Sequence, residues 1–159
     1  MKIIFSLIAI LMLNKECDQK QNSSQEALAS KELASNQDES IKFTYRASTR
    51  GFFEILWITK DSITISKDRD LIKTESFNYP ESDWQELMSL MNDLDLKNLE
   101  NLEPPSKKFQ YDGAAMATFK VHMENEEFET PGFDNGAPPK AIEAIVNKLL
   151  SIKSAVEKP

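Results

Sequence analysis

The chain has 159 residues, 40% of them hydrophobic and 28% charged, an ordinary make-up for one globular domain. Nineteen Lys and Arg stand against twenty-six Asp and Glu, a formal net charge of −7 without long single-sign runs. That balance speaks against nucleic acid and against electrostatic adsorption to anionic lipid, and the single cysteine rules out an internal disulfide.

Met1 and Lys2 open an apolar run, Ile3 to Leu13, broken only by Ser6. As a helix it would reach about 16 Å, against a hydrocarbon core of roughly 30 Å. It is too short to span and has the form of a secretory signal rather than a buried helix. Cys17 follows at the distance of a lipoprotein cysteine, but Glu16 stands where a small side chain belongs. Cys17 is therefore either a lipidation site or a leftover thiol. Residues 1–17 are read as the export signal. Residues 18–40, rich in Gln, Asn, Ser, Glu and Lys, are read as a flexible polar tether.

The folded domain is expected over 41–156. Ile41, Phe43, Tyr45 and Ala47 alternate with polar residues as a half-buried strand. Thr49-Arg50-Gly51 turns into Gly51 to Thr59 (GFFEILWIT), apolar on both faces apart from Glu54, which predicts the central strand of a sheet. Ile63 and Ile65 mark a third strand, and Leu71 to Phe77 a fourth, weaker one. Pro80 starts a helix whose stripe is Trp84, Leu87, Met88, Met91 and Leu94. Leu96, Leu99 and Leu102 predict a tight turn that plugs the sheet edge. Ser106 to Gly113 is a loop. Ala115 to Met123 and Phe128 to Thr130 form two more strands. A rigid loop, Pro131 to Pro139, leads to a last helix striped by Ile142, Ile145, Val146, Leu149 and Ile152. The order β-β-β-(β)-α-β-β-α predicts an α+β fold: a two-layer sandwich of a mostly antiparallel sheet with both helices on one face.

At TRGFF (49–53), KDR (67–69), PSKK with YDGA (105–108, 111–114) and FDNGAPP (133–139), the chain resembles a group of small bacterial envelope proteins, lipoprotein-like and built as a single α+β domain. The resemblance implies the fold and an exported location, and no reaction.

Catalytic equipment is sparse. The only histidine, His122, falls by strand parity on the outer side of the sheet, and Cys17 lies outside the domain, so no His-assisted nucleophile is expected. No His/Cys cluster exists for zinc, and neither the Glu124–Glu129 hairpin nor Asp134-Asn135-Gly136 has calcium-loop spacing. No glycine-rich phosphate loop occurs, and no cofactor is expected. One candidate remains, a cluster of loops. Turn parity puts Arg50 and Arg69 at one end of the sheet, and Lys107, Lys108, Tyr111 and Asp112 at the same end as Phe133 and Asp134. If both pairs of loops meet, these eight residues surround a patch able to bind a carboxylate, a glycan acid or an acidic peptide. Alternatively the arginines pair with Asp112 and Asp134 to pin the loops.

The leading expectation is an exported, non-enzymatic binding module: a monomer with an envelope protein, peptide or glycan as partner, no nucleic acid, and membrane contact only through its N-terminus. The alternatives are a glycosidase-like enzyme using Asp112 and Asp134, and a structural envelope component.

Overall fold

A computed structural model describes residues 40–158. The signal, the tether and Cys17 lie outside these residues.

Strands β1 (Ile41–Ser48), β2 (Phe53–Ile58), β3 (Ile63–Ser66) and β4 (Glu75–Phe77) precede helix α1 (Glu81–Asn92). Strands β5 (Met116–Met123), β6 (Glu126–Glu129) and β7 (Phe133–Asp134) precede helix α2 (Glu143–Val156). The sheet runs β4-β3-β2-β1-β5-β6, and every pair is antiparallel. Strand β7 pairs with the start of β5, where Ala117 faces Phe133 and Met116 faces Asp134. The fold is α+β, as the element order predicts, and β2 shares the middle of the sheet with β1.

Register explains the core. Tyr45 pairs with Leu56 on one side and Phe119 on the other, and Phe43 with Ile58 and Val121, so their side chains share one face. That face packs with Trp84 and Leu87 of α1 and with Ile145, Val146, Leu149 and Ile152 of α2 in one cluster. The Phe43 ring stacks on Phe119 with centroids 6.3 Å apart and meets Trp84 at 5.7 Å. The two helices are also tied by Lys148, whose ammonium lies 2.9 Å from Asp83 and also reaches Glu86.

Glu54, the one polar break in the central strand, points to the helix side. Its carboxylate lies 2.8 Å from the Lys153 ammonium of α2, which also meets Glu157 at 3.2 Å. A carboxylate buried there without its cation would cost several kcal/mol, so the pair accounts for the break. Phe53 and Ile55 point to the opposite face, and there the Arg46 and Arg69 guanidinium groups lie over the Phe53 ring at 5.6 and 5.3 Å. The cover of that face at Phe53 is thus cationic, where the helix face is covered by apolar side chains.

Several boundaries differ from the sequence reading. The fourth strand starts at Glu75, and residues 71–74 belong to the loop before it. Phe52 lies in the β1–β2 hairpin, 39% exposed, rather than in β2. Lys108–Tyr111 is a single 3₁₀ turn inside the expected loop, and another, Lys140–Ile142, separates Pro139 from α2. Leu96–Asn101 is also 3₁₀; it lies against β6 and buries Leu99. Among the described residues no helix is long and apolar enough to cross a membrane.

Candidate functional site

The register decides where the loops fall. Ser48, at the end of β1, faces Phe53 on β2 and Met116 on β5, and Met116 in turn faces Asp134. Ser66, which ends β3, pairs with Ile55 near the start of β2. The β1–β2 hairpin, the β3–β4 loop, the segment before β5 and the segment around β7 therefore all sit at the same end of the sheet. Both loop pairs meet in that sense. From β3 to β7 there are four strand spacings, about 19 Å in all, so they form a broad end and not one compact pocket.

Two carboxylates build the loops at this end. Asp68 accepts hydrogen bonds from the amides of Asp70, Ile72 and Lys73 at 3.2, 3.0 and 3.0 Å. The Asp70 and Lys73 amides, against a smaller opposing effect of desolvation, hold its carboxyl below the ordinary value. Ser66 closes the same loop by donating to the Lys73 carbonyl. Leu71 is thereby held at φ 57°, a conformation that an L-residue adopts at a cost. Arg69 then donates to the Thr49 and Phe52 carbonyls at 2.7 and 3.2 Å, fastening this loop to the β1–β2 hairpin.

Asp134 does the same for the second pair of loops. It accepts from the Ser106 hydroxyl and from the Phe109 and Lys108 amides at 2.8 and 3.1 Å. Burial by itself would raise this carboxyl; the Ser106 and amide hydrogen bonds outweigh it and hold the group below its ordinary value. Thr130 opens the gap between β6 and β7. Its amide donates to the Phe119 carbonyl, and its hydroxyl oxygen accepts from the Phe119 amide in place of a backbone carbonyl. The chain is then free to turn at Pro131-Gly132. A Cβ at 132 would lie 2.9 Å from Met116 Sδ, so a larger residue there would displace that side chain.

The eight sequence candidates divide. Arg69 is a strap between two loops and a lid on Phe53. Phe133 is not on the surface: it is fully buried and packs on Tyr45, with centroids 6.2 Å apart. Burial pushes the Tyr45 phenol up to about 12, and its hydroxyl donates to Asn135. Asp134 is 3% exposed, and its oxygens are occupied by the three donors. It is placed to hold a loop and poorly placed to attack a substrate, and Asp112 is exposed in a left-handed cap. The arginines do not pair with these aspartates: Arg50, Lys107 and Lys108 make no ion pair among the described residues. Arg50, Lys107, Lys108, Tyr111 and Asp112 remain exposed at the loop end.

Of the exposed apolar members of this end, Tyr111 alone is among the eight sequence candidates, and the other four are not. Among the described residues the exposed large hydrophobic side chains are Phe52, Leu71, Ile72, Tyr111 and Met116. All five lie in the loops or strand start at this one end. Ile72 and Tyr111 are 81% and 83% exposed, so nearly the whole side chain stands outside the protein. The signal was present in Asp70-Leu71-Ile72-Lys73, where two apolar residues stand side by side between charges instead of alternating.

A cleft of about 700 Å³ lies behind the β3–β4 loop, lined by Ile65, Lys67, Ile72, Lys73 and Glu157 among others. Lys67 crosses it to Glu157 at 2.8 Å. His122 pairs in register with Lys42 and Glu127 on the sheet's outer side, its Nδ1 3.4 Å from Glu127. Among the described residues no three His, Cys, Asp or Glu side chains stand together as a metal site. No protein-family model and no curated protein matches the chain.

Proposed function

We propose that the chain is an exported, non-enzymatic binding module of the bacterial cell envelope, and that it makes contact through the loop-bearing end of its sheet. The observation that carries this reading is the segregation of the five exposed large apolar side chains to that end. Scattered singly, such residues need no explanation; gathered on loops fixed by the Asp68 and Asp134 carboxylates, they form a prepared contact surface. Rigid loops lose little conformational freedom on binding, which favours affinity. Export rests on the apolar run at Ile3 to Leu13, and a lipid at Cys17 would add a tether.

A photo-crosslinking residue introduced at position 72, 111 or 125 of the full chain, in cells, tests the surface. Crosslinks at 72 and 111 but not at 125, on the hairpin at the far end, are expected. Equal crosslinking at all three positions, or none at any, would overturn the reading. Deleting residues 2–17 should leave the chain in the cytosol; unchanged fractionation would remove the export part.

A further inference from the structure

Resting on that reading, we propose that the loop-bearing end docks on an anionic lipid surface, with Ile72 and Tyr111 entering the headgroup boundary. The acidic total of the chain does not describe this end. Loops 49–52, 67–74, 105–115 and 131–139 carry six cations and four carboxylates. Two of those carboxylates, Asp68 and Asp134, accept from backbone amides within the loops. Arg50, Lys73, Lys107 and Lys108 make no ion pair among the described residues. They lie in sequence beside Phe52, Ile72 and Tyr111. The turns at the opposite end, 59–62 and 124–125, have no such excess of cations, with Asp61 and Glu124 against Lys60.

Shape favours a lipid over an acidic protein segment. The two most exposed side chains stand on separate loops at opposite sides of an end about 19 Å wide. Each projects outward, and neither forms the wall of a groove common to both. Spaced apolar tips with cations at their bases suit a soft, flat, negatively charged surface: the apolar groups enter the boundary while the cations meet the headgroups. An amphipathic Tyr is at home at that depth. The Asp68 and Asp134 hydrogen bonds hold the tips in place beforehand.

The test uses the full chain with Cys17→Ser, carrying an environment-sensitive fluorophore on Ile72→Cys, Tyr111→Cys or Asn125→Cys. The probe surface is vesicles of 70:30 phosphatidylcholine and phosphatidylglycerol, with pure phosphatidylcholine alongside. Because the N-terminal apolar run can bind any bilayer, the readout is local to each label. Blue shifts at 72 and 111 on anionic vesicles, with none at 125, are the expected result. Each cation near an anionic surface contributes a factor of about five in partitioning. Arg50→Gln with Lys73→Gln should therefore weaken the response at 72 about twenty-five-fold. Unshifted labels at 72 and 111, shifts equal to that at 125, or shifts as large on pure phosphatidylcholine would overturn the proposal. If the labels stay unshifted while positions 72 and 111 crosslink to a protein, the lipid inference fails and the contact-surface reading stands. If crosslinking also fails, both go.

Discussion

The helix-covered face of the sheet and its loop-bearing end use the same kinds of side chain in opposite ways. On the covered face the aromatic and aliphatic groups turn inward, and the one buried acid, Glu54, is matched by Lys153 from a neighbouring helix. At the loop end Asp68 accepts from amides of its own loop and Asp134 from amides of a neighbouring one, while Phe52, Leu71, Ile72, Tyr111 and Met116 turn outward. The first arrangement makes a fold stable. The second uses part of that stability to hold apolar groups in water, and in the case of Leu71 in a backbone conformation that an L-residue resists. The two regions should therefore respond to substitution very differently.

The largest difference is expected in the core. Phe119→Ala removes a fully buried ring that stacks on Phe43 at the middle of the sheet. Truncations of this kind cost about 3–5 kcal/mol, since the surroundings close only part of the cavity. Urea unfolding should show the midpoint falling with an unchanged slope. A loss under 1 kcal/mol would mean that the two faces are not as unlike as their packing says.

A smaller effect, with a distinct pH signature, is expected from the loop acids. The Asp134 carboxyl is held below its ordinary value in the folded protein. Its contribution is therefore complete above the unfolded value of about 3.9, and is lost as pH falls through the lower native one. Asp68 behaves alike. In Asp134→Asn the group that titrates is gone. The variant should unfold at lower urea than the parent at pH 7, and the gap between them should shrink as pH drops below about 4. A gap that stays constant down to pH 2.5 would show that Asp134 holds Ser106 and Phe109 by shape alone.

How much of this was legible in the sequence follows from the physics of each part. The strands and helices of the covered face announce themselves because burial imposes a period: Phe43, Tyr45 and Ala47 at two, Trp84, Leu87 and Met91 at three to four. Turn parity alone brought Arg50 and Arg69 to one end, and the Arg69 hydrogen bonds bear this out. It could not say that Arg69 would be consumed as a strap, because the Thr49 and Phe52 carbonyls carry no mark in the residue letters. Asp134 and Phe133 look like surface groups in the sequence for a similar reason. Glycine and asparagine around them point to a loop, but only the pairing of Met116 with Asp134 reveals that this loop re-enters the sheet. Leu71 and Ile72 look like strand in the sequence because apolar neighbours favour strands, and the Asp68 cap that overrides the preference is made of backbone amides.

The smallest expected effect tests the other half of the comparison. Ile72→Ser and Tyr111→Ser remove side chains that are 81% and 83% exposed. Surface substitutions away from caps and buried networks change stability by no more than about 0.5 kcal/mol, and neither side chain takes part in the Asp68 or Asp134 hydrogen bonds, which use backbone amides and the Ser106 hydroxyl. The double variant should therefore unfold within about 1 kcal/mol of the parent. A core residue of the same size could not be cut back so cheaply, and the contrast with Phe119→Ala would be at least three-fold by the ranges used here. If the double variant instead loses as much as a core truncation, Ile72 and Tyr111 hold the loops together from outside, and the loop end is part of the scaffold rather than a surface kept ready for contact.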